Sequence, residues 1–341
     1  MSYADYLFIK NCKEILEHGI ADTSFSVRPM WEDGTPAHTV KKLYVVDRYQ
    51  LKPDYIPVMT MRKTAFKSCI DEILWIYQKG SNKIADLNSK IWDSWDVGDG
   101  TIGKAYGYQI AQVAPHHRYN GREDLSNYPS AKLDVVHDAA YTKYDENTED
   151  IWVWLSQIDA VRYDLKNNPG SRSILTNTYA HRDLYAMGLR PCAYMMTFNV
   201  TADEKGNYIL NGMLTQRSQD MLTANNWNTV QYAVLLHMLA QEAGMQVGEF
   251  VHVIADAHIY DRHIPVVSDM IDRYEKMMVG NVYGGEMDDK TPAYLKEMFP
   301  HPTPKFWINP EVKNFYDFTT KDFKLIDYEY EPFEYKIPVA I

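Results

Sequence analysis

The chain has 341 residues, of which 45% are hydrophobic and 24% are charged, a balance typical of a folded globular protein. No hydrophobic run approaches the roughly 18 residues that cross a bilayer, and the polar N-terminal segment does not resemble a signal peptide. The net charge of −11 argues against non-specific binding to nucleic acid, although a local cluster of arginines can still attract a small anion.

The first predicted elements are two helices and a strand. Residues 5–18 suit a helix, and residues 41–49 (KKLYVVDRY) suit a strand. Residues 64–79 carry hydrophobic side chains at the spacing of one helix face, and Gly80 ends that pattern. Glu72 lies beside this face, so a solvated or edge position is expected, unless burial raises the pKa of its carboxyl and makes it a proton carrier.

The rest of the chain mixes helices and strands without regular alternation. Residues 115–148 have mixed polarity and little periodicity, which predicts an insertion or a long surface excursion. The elements predicted after it are a helix over 151–171, two strands around the turn 203–207, a long hydrophobic helix ending at Gly244 and a strand over 249–260. The glycine-rich motifs of nucleotide-binding loops are absent, which favours an α+β fold with a mixed sheet.

The three cysteines, Cys12, Cys69 and Cys192, are widely spaced and form neither a disulfide framework nor a zinc motif. A reducing cytoplasm is therefore the expected location. Cys192 follows a proline and begins a strand-like alternation, which is most often the pattern of a buried, inert cysteine. It becomes a candidate nucleophile if Arg190 and Arg217, both near it in the predicted hairpin, lower the pKa of its thiol.

Two polar segments are candidate ligand sites. QRSQD, residues 216–220, ends a predicted strand, and its Arg217 and Ser218 suit a phosphate because a guanidinium holds two oxygens and a hydroxyl a third. A polar turn is the simpler explanation for the same segment. Asn228 precedes the long helix, where it is expected as an N-cap, although its amide also suits the amide edge of a ring.

The segment DAHIYDRH, residues 256–263, offers residue types that can bind a metal. On an alternating strand, however, His258 and Tyr260 share one face while His263 lies beyond it. A hydrogen-bonding pair is therefore the better prediction, and no metal is expected.

Nine motifs occur in one order: DEILWIYQKGSN, IWDSW, DGTIGKAYGYQ, NNPGSR, LRPCAY, QRSQD, NWNTVQYAVLLHMLAQEAG, HIYDRH and PVAI. In order and spacing they resemble thymidylate synthase, the folate-dependent family with a cysteine nucleophile. The similarity runs from about VRPMWEDGTPAHT to the last residue, with interruptions near 115–148 and 281–304. It implies a single catalytic domain over 1–341, with a mixed β-sheet packed against helices and one sheet face at a homodimer interface.

The resemblance implies reductive methylation of dUMP to dTMP, with 5,10-methylenetetrahydrofolate as the donor of both the carbon and the hydride. Cys192 matches the nucleophile that adds to C6 of uracil, Glu72 matches the organiser of water and protons around C5, and Tyr106 matches a tyrosine near the nucleophile. Asn228 matches the amide that reads N3 and O4. The other positions matched to dUMP are Arg28, Arg172 from the neighbouring subunit, Gln216, Arg217, Ser218 and Asp220, with His258 and Tyr260 at the ribose.

The resemblance also implies a folate site. Its matched positions are Trp92, Trp95, Asp220, Trp227 and Ala340. We call residues 335–341 (YKIPVAI) the tail. A hydrophobic segment at a chain end is best explained by docking, and the resemblance implies that Val339 to Ile341 close over the folate.

Three single positions and one segment depart from the family pattern. Ser173 follows Arg172 where a second arginine is usual, so the phosphate grip loses one charge. The segment Thr223–Asn226 replaces a commoner turn, with Trp227 in the aromatic place. Ala193 stands where many members have histidine, and Arg62 where a lysine often lies near the folate. These changes put affinity in question more than reaction type.

A hydroxymethylase of the same superfamily, acting on dUMP or dCMP, is the nearest alternative because it shares the first half-reaction. Asn228 favours uracil over cytosine, and Trp92 with the tail favours hydride transfer. A non-catalytic nucleotide- or RNA-binding regulator is a remote alternative, since a binder would not need Cys192. A cysteine hydrolase would need a histidine partner beside the thiol, and none is recognisable. The expected partners are dUMP, reduced folate and a second copy of the chain, without membrane or DNA.

Overall fold

The computed structural model describes residues 2–136, 151–282 and 304–341. The α-helices within these ranges are α1 (Tyr3–His18), α2 (Phe66–Tyr77), α3 (Gly107–Ile110), α4 (Gln157–Asn167), α5 (Asn225–Ala243) and α6 (Ile264–Val282). The strands are β1 (Ile20–Ala21), β2 (Thr39–Gln50), β3 (Val113–Arg118), β4 (Lys132–Val135), β5 (Ile151–Ser156), β6 (Leu175–Asn177), β7 (Ala193–Ala202), β8 (Tyr208–Gln216), β9 (Gln219–Asp220), β10 (Gln246–Tyr260), β11 (Lys305–Ile308) and β12 (Phe323–Ile326).

The central sheet has the strand order β1-β2-β10-β8-β7-β6, and β9 pairs with the far end of β10. Strand β10 is antiparallel to β2 and parallel to β8, so the sheet is mixed. Strands β7 and β8 form the predicted hairpin around 203–207. The expectation of an α+β fold with a mixed sheet is confirmed.

One face of this sheet is covered by helices. Phe198, Leu214 and Phe250 point into the core on this face and are fully buried. The packing is tight at Gly212 of β8, where an added Cβ would lie 2.4 Å from Cε of Met196 and 3.0 Å from Cδ1 of Leu236 in α5. Helix α5 is buried along most of its length, so the long hydrophobic sequence that predicts it forms the centre of the core.

The opposite face of the sheet is hydrophobic but open. Its side chains alternate with the buried ones along the strands. Val46 on β2 is 52% exposed, and it pairs with Val253 of β10. Met213 of β8 and Thr197 of β7 continue this surface across the sheet.

The prediction of a helix over 151–171 is wrong for its first six residues. They form β5, the middle strand of a second sheet with the order β3-β5-β4. The aromatic and β-branched residues of IWVWLS alternate, so Val153 and Leu155 are buried together against Tyr128. The helix begins only after Ser156, whose hydroxyl accepts a hydrogen bond from the backbone N–H of Asp159.

The two predicted insertions are described only in part. Residues 115–118 and 132–135 belong to β3 and β4 rather than to irregular structure, while residues 137–148 lie outside the described residues. Of the segment 281–304, residues 283–303 lie outside them as well. Within the described ranges, no helix has the length and hydrophobicity needed to span a membrane.

Candidate active site

An open cavity of about 1170 Å³ lies where several elements end together. Its wall includes Cys192 just before β7, Arg217 just after β8, Asn228 in the first turn of α5 and Tyr260 at the end of β10. Because β8 and β10 are parallel, their carboxyl ends lie at the same edge of the sheet. The tail closes another side of the cavity through its last three residues.

All but one of the predicted site residues line this cavity: Arg28, Glu72, Trp92, Trp95, Tyr106, Cys192, Gln216, Arg217, Ser218, Asp220, Trp227, Asn228, His258, Tyr260 and Ala340. The exception is Arg172, which is exposed and lies outside the cavity. The sequence did not single out Tyr185 or Lys90, which also line it. Neither belongs to a motif with an evident chemical role, so no sequence signal identified them.

Cys192 is partly buried beside two functional groups. Its Sγ lies 3.5 Å from Nη2 of Arg217, and its backbone N–H donates to the hydroxyl of Tyr106 at 3.0 Å. Burial raises the pKa of the thiol, and the charges of Arg217 and Arg28 offset only part of that increase. Arg217 therefore lowers the pKa of the thiol as expected, but burial outweighs this effect, and Arg217 is placed to stabilise the thiolate once it forms.

Three arginines of the cavity wall lack a carboxylate partner. Arg28, Arg190 and Arg217 form no ion pair within the described part of the chain. Arg217 is held by two backbone carbonyls, donating from Nε to Pro191 at 2.9 Å and from Nη2 to Arg190 at 2.8 Å. Uncompensated guanidinium groups in a cleft attract an anion, so this end of the cavity suits a phosphate.

Asn228 is not the N-cap of the long helix. Helix α5 begins at Asn225, with Ala224 at the N-cap position, so Asn228 lies within the first turn. The sequence places the N-cap four residues too late because Asn228 resembles a cap and the preceding asparagines are poor helix formers. Inside the helix, the Asn228 side chain is free of a capping role and points into the cavity.

A directed chain of hydrogen bonds fixes the orientation of the Asn228 amide. Gln216 Nε2 donates to the carbonyl of Ser218 at 2.9 Å and to Oδ1 of Asn228 at 3.3 Å. Asn228 Nδ2 donates to Oε1 of Gln231 at 3.1 Å, and Gln231 Nε2 donates to Oε2 of Glu72 at 2.7 Å. Since the Ser218 carbonyl at one end and the Glu72 carboxylate at the other only accept, all three amides must point the same way.

A buried histidine supports this direction. His252 Nε2 lies 2.8 Å from Oε1 of Gln216, and burial lowers the pKa of His252 to about 3, so the ring stays neutral. With its proton on Nε2, the ring donates to Gln216 and leaves the Gln216 NH₂ group for Asn228. Flipping Asn228 would bring donor against donor at Gln216 and acceptor against acceptor at Gln231, which is costly in a buried network.

Glu72 is buried, contrary to the simpler expectation from the sequence. It is 5% exposed and accepts hydrogen bonds from three donors, Nε1 of Trp92 at 2.6 Å, Nε1 of Trp227 and Nε2 of Gln231. Burial raises the pKa of its carboxyl, and the three donated bonds offset only part of that increase. The result is a carboxyl that can take up and release a proton closer to neutral pH.

His258 and Tyr260 lie on the same side of β10, as the alternation predicted, with their rings 5.1 Å apart. Nδ1 of His258 lies 2.9 Å from Oδ1 of Asp256, whose Oδ2 accepts from Lys41 at 2.9 Å. This contact leaves Nε2 of His258 for a ligand in the cavity. Among the described residues, no group of three or more histidine, cysteine or acidic side chains is arranged to hold a metal.

An aromatic wall made of Trp92, Trp95, Tyr106 and Trp227 lines the cavity. The rings of Trp92 and Trp95 are 5.4 Å apart, and the ring of Trp92 is 5.2 Å from that of Tyr106. Such a wall suits a flat heteroaromatic ligand.

Arg62 does not line the cavity. Its guanidinium donates to the Leu222 carbonyl and lies 5.7 Å from the ring of Phe333, so it ties the chain before the tail to the core.

The tail is docked beside the arginine end of the cavity. Ile341 and Met30 exchange two backbone hydrogen bonds of 3.0 and 2.8 Å, two residues away from Arg28. Val339 and Ile341 are nevertheless 56% and 51% exposed. The tail therefore presents hydrophobic surface at the mouth of the cavity, where a further apolar partner would cover it.

Comparison with known proteins gives one consistent result. The family model for thymidylate synthase matches residues 6–341. A thymidylate synthase of Bacillus licheniformis is 34% identical over 338 residues, which cover 97% of this chain and 96% of that protein. That of Bacillus phage phi3T is 34% identical over 334 residues, with the same coverage. The solved structure of thermostable thymidylate synthase A from Bacillus subtilis has a TM-score of 0.72 and 33% identity, and the match covers 99% of both chains.

The burial of Glu72 predicts a pH-dependent stability. A carboxyl whose folded-state pKa is raised destabilises the folded state as the pH rises through that pKa, because the buried group must then carry a charge. We expect the free energy of unfolding of the wild type to fall, relative to that of Glu72→Gln, between about pH 5 and about pH 8. Urea unfolding of both proteins measures this difference. Glu311→Gln, at an exposed position, is the control. If the free energies of unfolding of the wild type and of Glu72→Gln differ by the same amount at both pH values, the pKa of Glu72 is not raised in the folded state.

Proposed function

The chain belongs to the thymidylate synthase family and is a methyltransferase that converts dUMP to dTMP, and we propose that the cavity around Cys192 is where it does so. The observation that carries the proposal is the position of the thiol. It lies between arginines without acidic partners and a buried carboxyl joined to oriented amides. The family uses 5,10-methylenetetrahydrofolate, and we propose it as the co-substrate here.

The phosphate of dUMP binds to Arg28 and Arg217, with the hydroxyl of Ser218 donating a third contact. These groups line one end of the cavity, and the phosphate dianion supplies the negative charge that neutralises the two guanidinium groups. His258 and Tyr260 hold the ribose. The uracil ring then lies over Cys192, between the phosphate end and the aromatic wall.

Cys192 adds as a thiolate to C6 of the uracil, forming a carbon–sulfur bond and moving an electron pair to C5 and O4. Arg217, at 3.5 Å from the sulfur, stabilises the thiolate before the addition. The charge that develops on O4 needs a fixed donor. Asn228 Nδ2 is that donor, and its orientation is set before the substrate arrives, so no reorganisation is needed during the reaction.

The direction of the amide chain accounts for the choice of base. In the observed orientation, Asn228 accepts a hydrogen bond from N3–H of uracil and donates one to O4. Cytosine presents an acceptor at N3 and a donor at N4, so it requires the flipped amide. That flip breaks the contacts with Gln216 and Gln231, which disfavours dCMP.

Glu72 manages the proton that leaves C5. Its raised pKa suits a group that exchanges protons through ordered water near neutral pH, and the contact with Gln231 links it to the amide that faces O4. Tyr106, within 3.0 Å of the backbone of the nucleophile, fixes the position of Cys192.

Trp92, Trp95 and Trp227 of the aromatic wall, with Asp220, hold the folate, which supplies the one-carbon unit and the hydride when bound. The last residues of the tail pack on it and exclude water, which would otherwise convert the methylene group into a hydroxymethyl group. The similarity to named thymidylate synthases favours dTMP as the product over hydroxymethyl-dUMP.

We also propose a homodimer with shared active sites. Arg172 is exposed and outside its own cavity, and the open face of the central sheet is hydrophobic around Val46 and Val253. Packing two such faces together buries this surface and allows Arg172 of the partner subunit to reach the phosphate.

All three cysteines are free thiols, which supports a reducing cytoplasm as the location.

The central test is the product formed from dUMP and 5,10-methylenetetrahydrofolate. We expect dTMP from the wild type and no turnover by Cys192→Ala, while binding of dUMP to that variant stays measurable because the phosphate and ring contacts remain. Cys12→Ala removes a buried thiol that does not line the cavity and serves as the control. Chromatography separates dTMP from hydroxymethyl-dUMP. Hydroxymethyl-dUMP as the main product, or dTMP formation by Cys192→Ala, would overturn the proposal.

The shared site predicts subunit complementation. Arg172→Ala and Cys192→Ala should each be poorly active alone, because every site in either homodimer lacks one group. Mixing them under conditions of subunit exchange creates dimers with one intact site, which contains Cys192 of one chain and Arg172 of the other. We expect activity to return on mixing. A mixture that is no more active than the sum of its parts, with exchange verified by a mass tag, would rule out the shared site.

A further inference from the structure

His263 is a fully buried histidine that the proposed chemistry does not use. It is 0% exposed, in the turn between β10 and α6. Its Nε2 lies 2.8 Å from the carbonyl oxygen of Pro338 in the tail. Its Nδ1 lies 3.7 Å from Oδ1 of Asp220, and this atom has no hydrogen-bond partner among the described residues.

Both ring nitrogens of His263 therefore face an acceptor. A carbonyl oxygen and a carboxylate only accept hydrogen bonds. A neutral ring carries a proton on only one nitrogen, so the in-plane lone pair of the other nitrogen must point at the carbonyl or at the carboxylate, and either arrangement is repulsive. Only the doubly protonated ring matches both sides, because it donates toward Pro338 and toward Asp220 at once.

We propose that His263 is a positioning residue that clamps the tail to the cavity wall when its ring is protonated and loosens it when the ring is neutral. The clamp connects two parts of the folate site. Asp220 lines the cavity, and Pro338 precedes the three tail residues that line it. The pairing of Ile341 with Met30 holds the far end of the same segment, so the tail is fixed at two points.

The charges around His263 favour the protonated ring. Burial disfavours the imidazolium, but the Asp220 carboxylate outweighs this cost, with smaller contributions from Pro338 and Asp261, and holds the pKa of His263 above its usual value. His258 also acts on the Asp220 carboxylate, and so does the buried guanidinium of Arg62. The neighbouring rings are those of Trp31 and Tyr260, at 5.7 and 5.5 Å.

The charge of Arg262, next in sequence, is directed away from this site. Its guanidinium pairs with Asp33 at 2.7 Å and lies 5.0 Å from the ring of Trp31. No basic side chain therefore opposes protonation of His263 from the turn that carries it. The clamp is complete below the pKa of His263 and weakens as the pH rises through it.

Hydrogen–deuterium exchange of the tail peptide tests this without turnover. The protein is compared at about pH 6 and about pH 8, with rates divided by those of the unfolded peptide at the same pH. We expect the corrected exchange of the wild-type tail to rise about fivefold at the higher pH, the difference between a charge-assisted and a neutral hydrogen bond. A tail whose corrected exchange is the same at both pH values overturns the proposal, whatever any variant does.

His263→Gln separates titration from packing. The glutamine amide can donate to Pro338 but does not titrate, so we expect the corrected exchange of its tail to be independent of pH. His116→Gln, at a histidine outside the cavity, should keep the wild-type pH dependence. A His263→Gln tail that still loosens with pH, in a protein whose circular dichroism shows it to be folded, would assign the effect to another group.

A kinetic readout rests on the proposed function. In the wild type, the KM for the folate should rise with pH while the KM for dUMP does not, and in His263→Gln the folate KM should stay flat. An enzyme that formed no dTMP would refute the proposed function, yet the exchange experiment would still decide the role of His263. Equal pH profiles for the folate KM in wild type and variant would contradict the clamp.

Discussion

The site depends on the register of one strand. Gln216, the last residue of β8, pairs with Ala193 of β7 on one side and with Ile254 of β10 on the other. This register places Cys192 beside Arg217, because each residue is the next one along its strand. It also brings the end of β10, with His258 and Tyr260, to the same edge of the sheet. A one-residue slip would turn these side chains to the opposite face.

The cavity holds charged side chains that the described part of the chain does not pair with an opposite charge. Elsewhere, a buried arginine such as Arg162 is paired with Asp159 and Glu242, as burial of a charge requires. At the cavity, Arg28 and Arg217 have no acidic partner among the described residues, and Glu72 is buried among neutral donors. Of these two arrangements, the burial of Glu72 costs stability, whereas Arg28 is exposed to solvent. Both are explained if a phosphate dianion and a proton-transfer step use them.

The sequence predicted much of this site, and its errors have physical causes. Strand alternation placed His258 and Tyr260 correctly, because period two is a local property of the backbone. The helical pattern does not predict the burial of Glu72, because this burial depends on Trp92 and Trp227 from two other segments of the chain. The start of α5 was misplaced because Asn228 resembles a cap. The sequence predicts a helix over residues 151–156 because hydrophobic side chains in a short run fit either the helical or the strand period. The contact of His263 with Pro338 joins residues 75 positions apart, and no local pattern reports it.

The claim that Cys192 attacks C6 of dUMP is tested most directly by trapping the adduct. With 5-fluoro-dUMP and 5,10-methylenetetrahydrofolate, addition can proceed, but fluorine cannot leave C5 as a cation, so the covalent complex accumulates. Intact-mass spectrometry should show a protein that is heavier by both ligands, and peptide mapping should place them on Cys192. The absence of a mass increase under conditions where dUMP is turned over, or an adduct on Cys12 or Cys69, would contradict nucleophilic attack by Cys192.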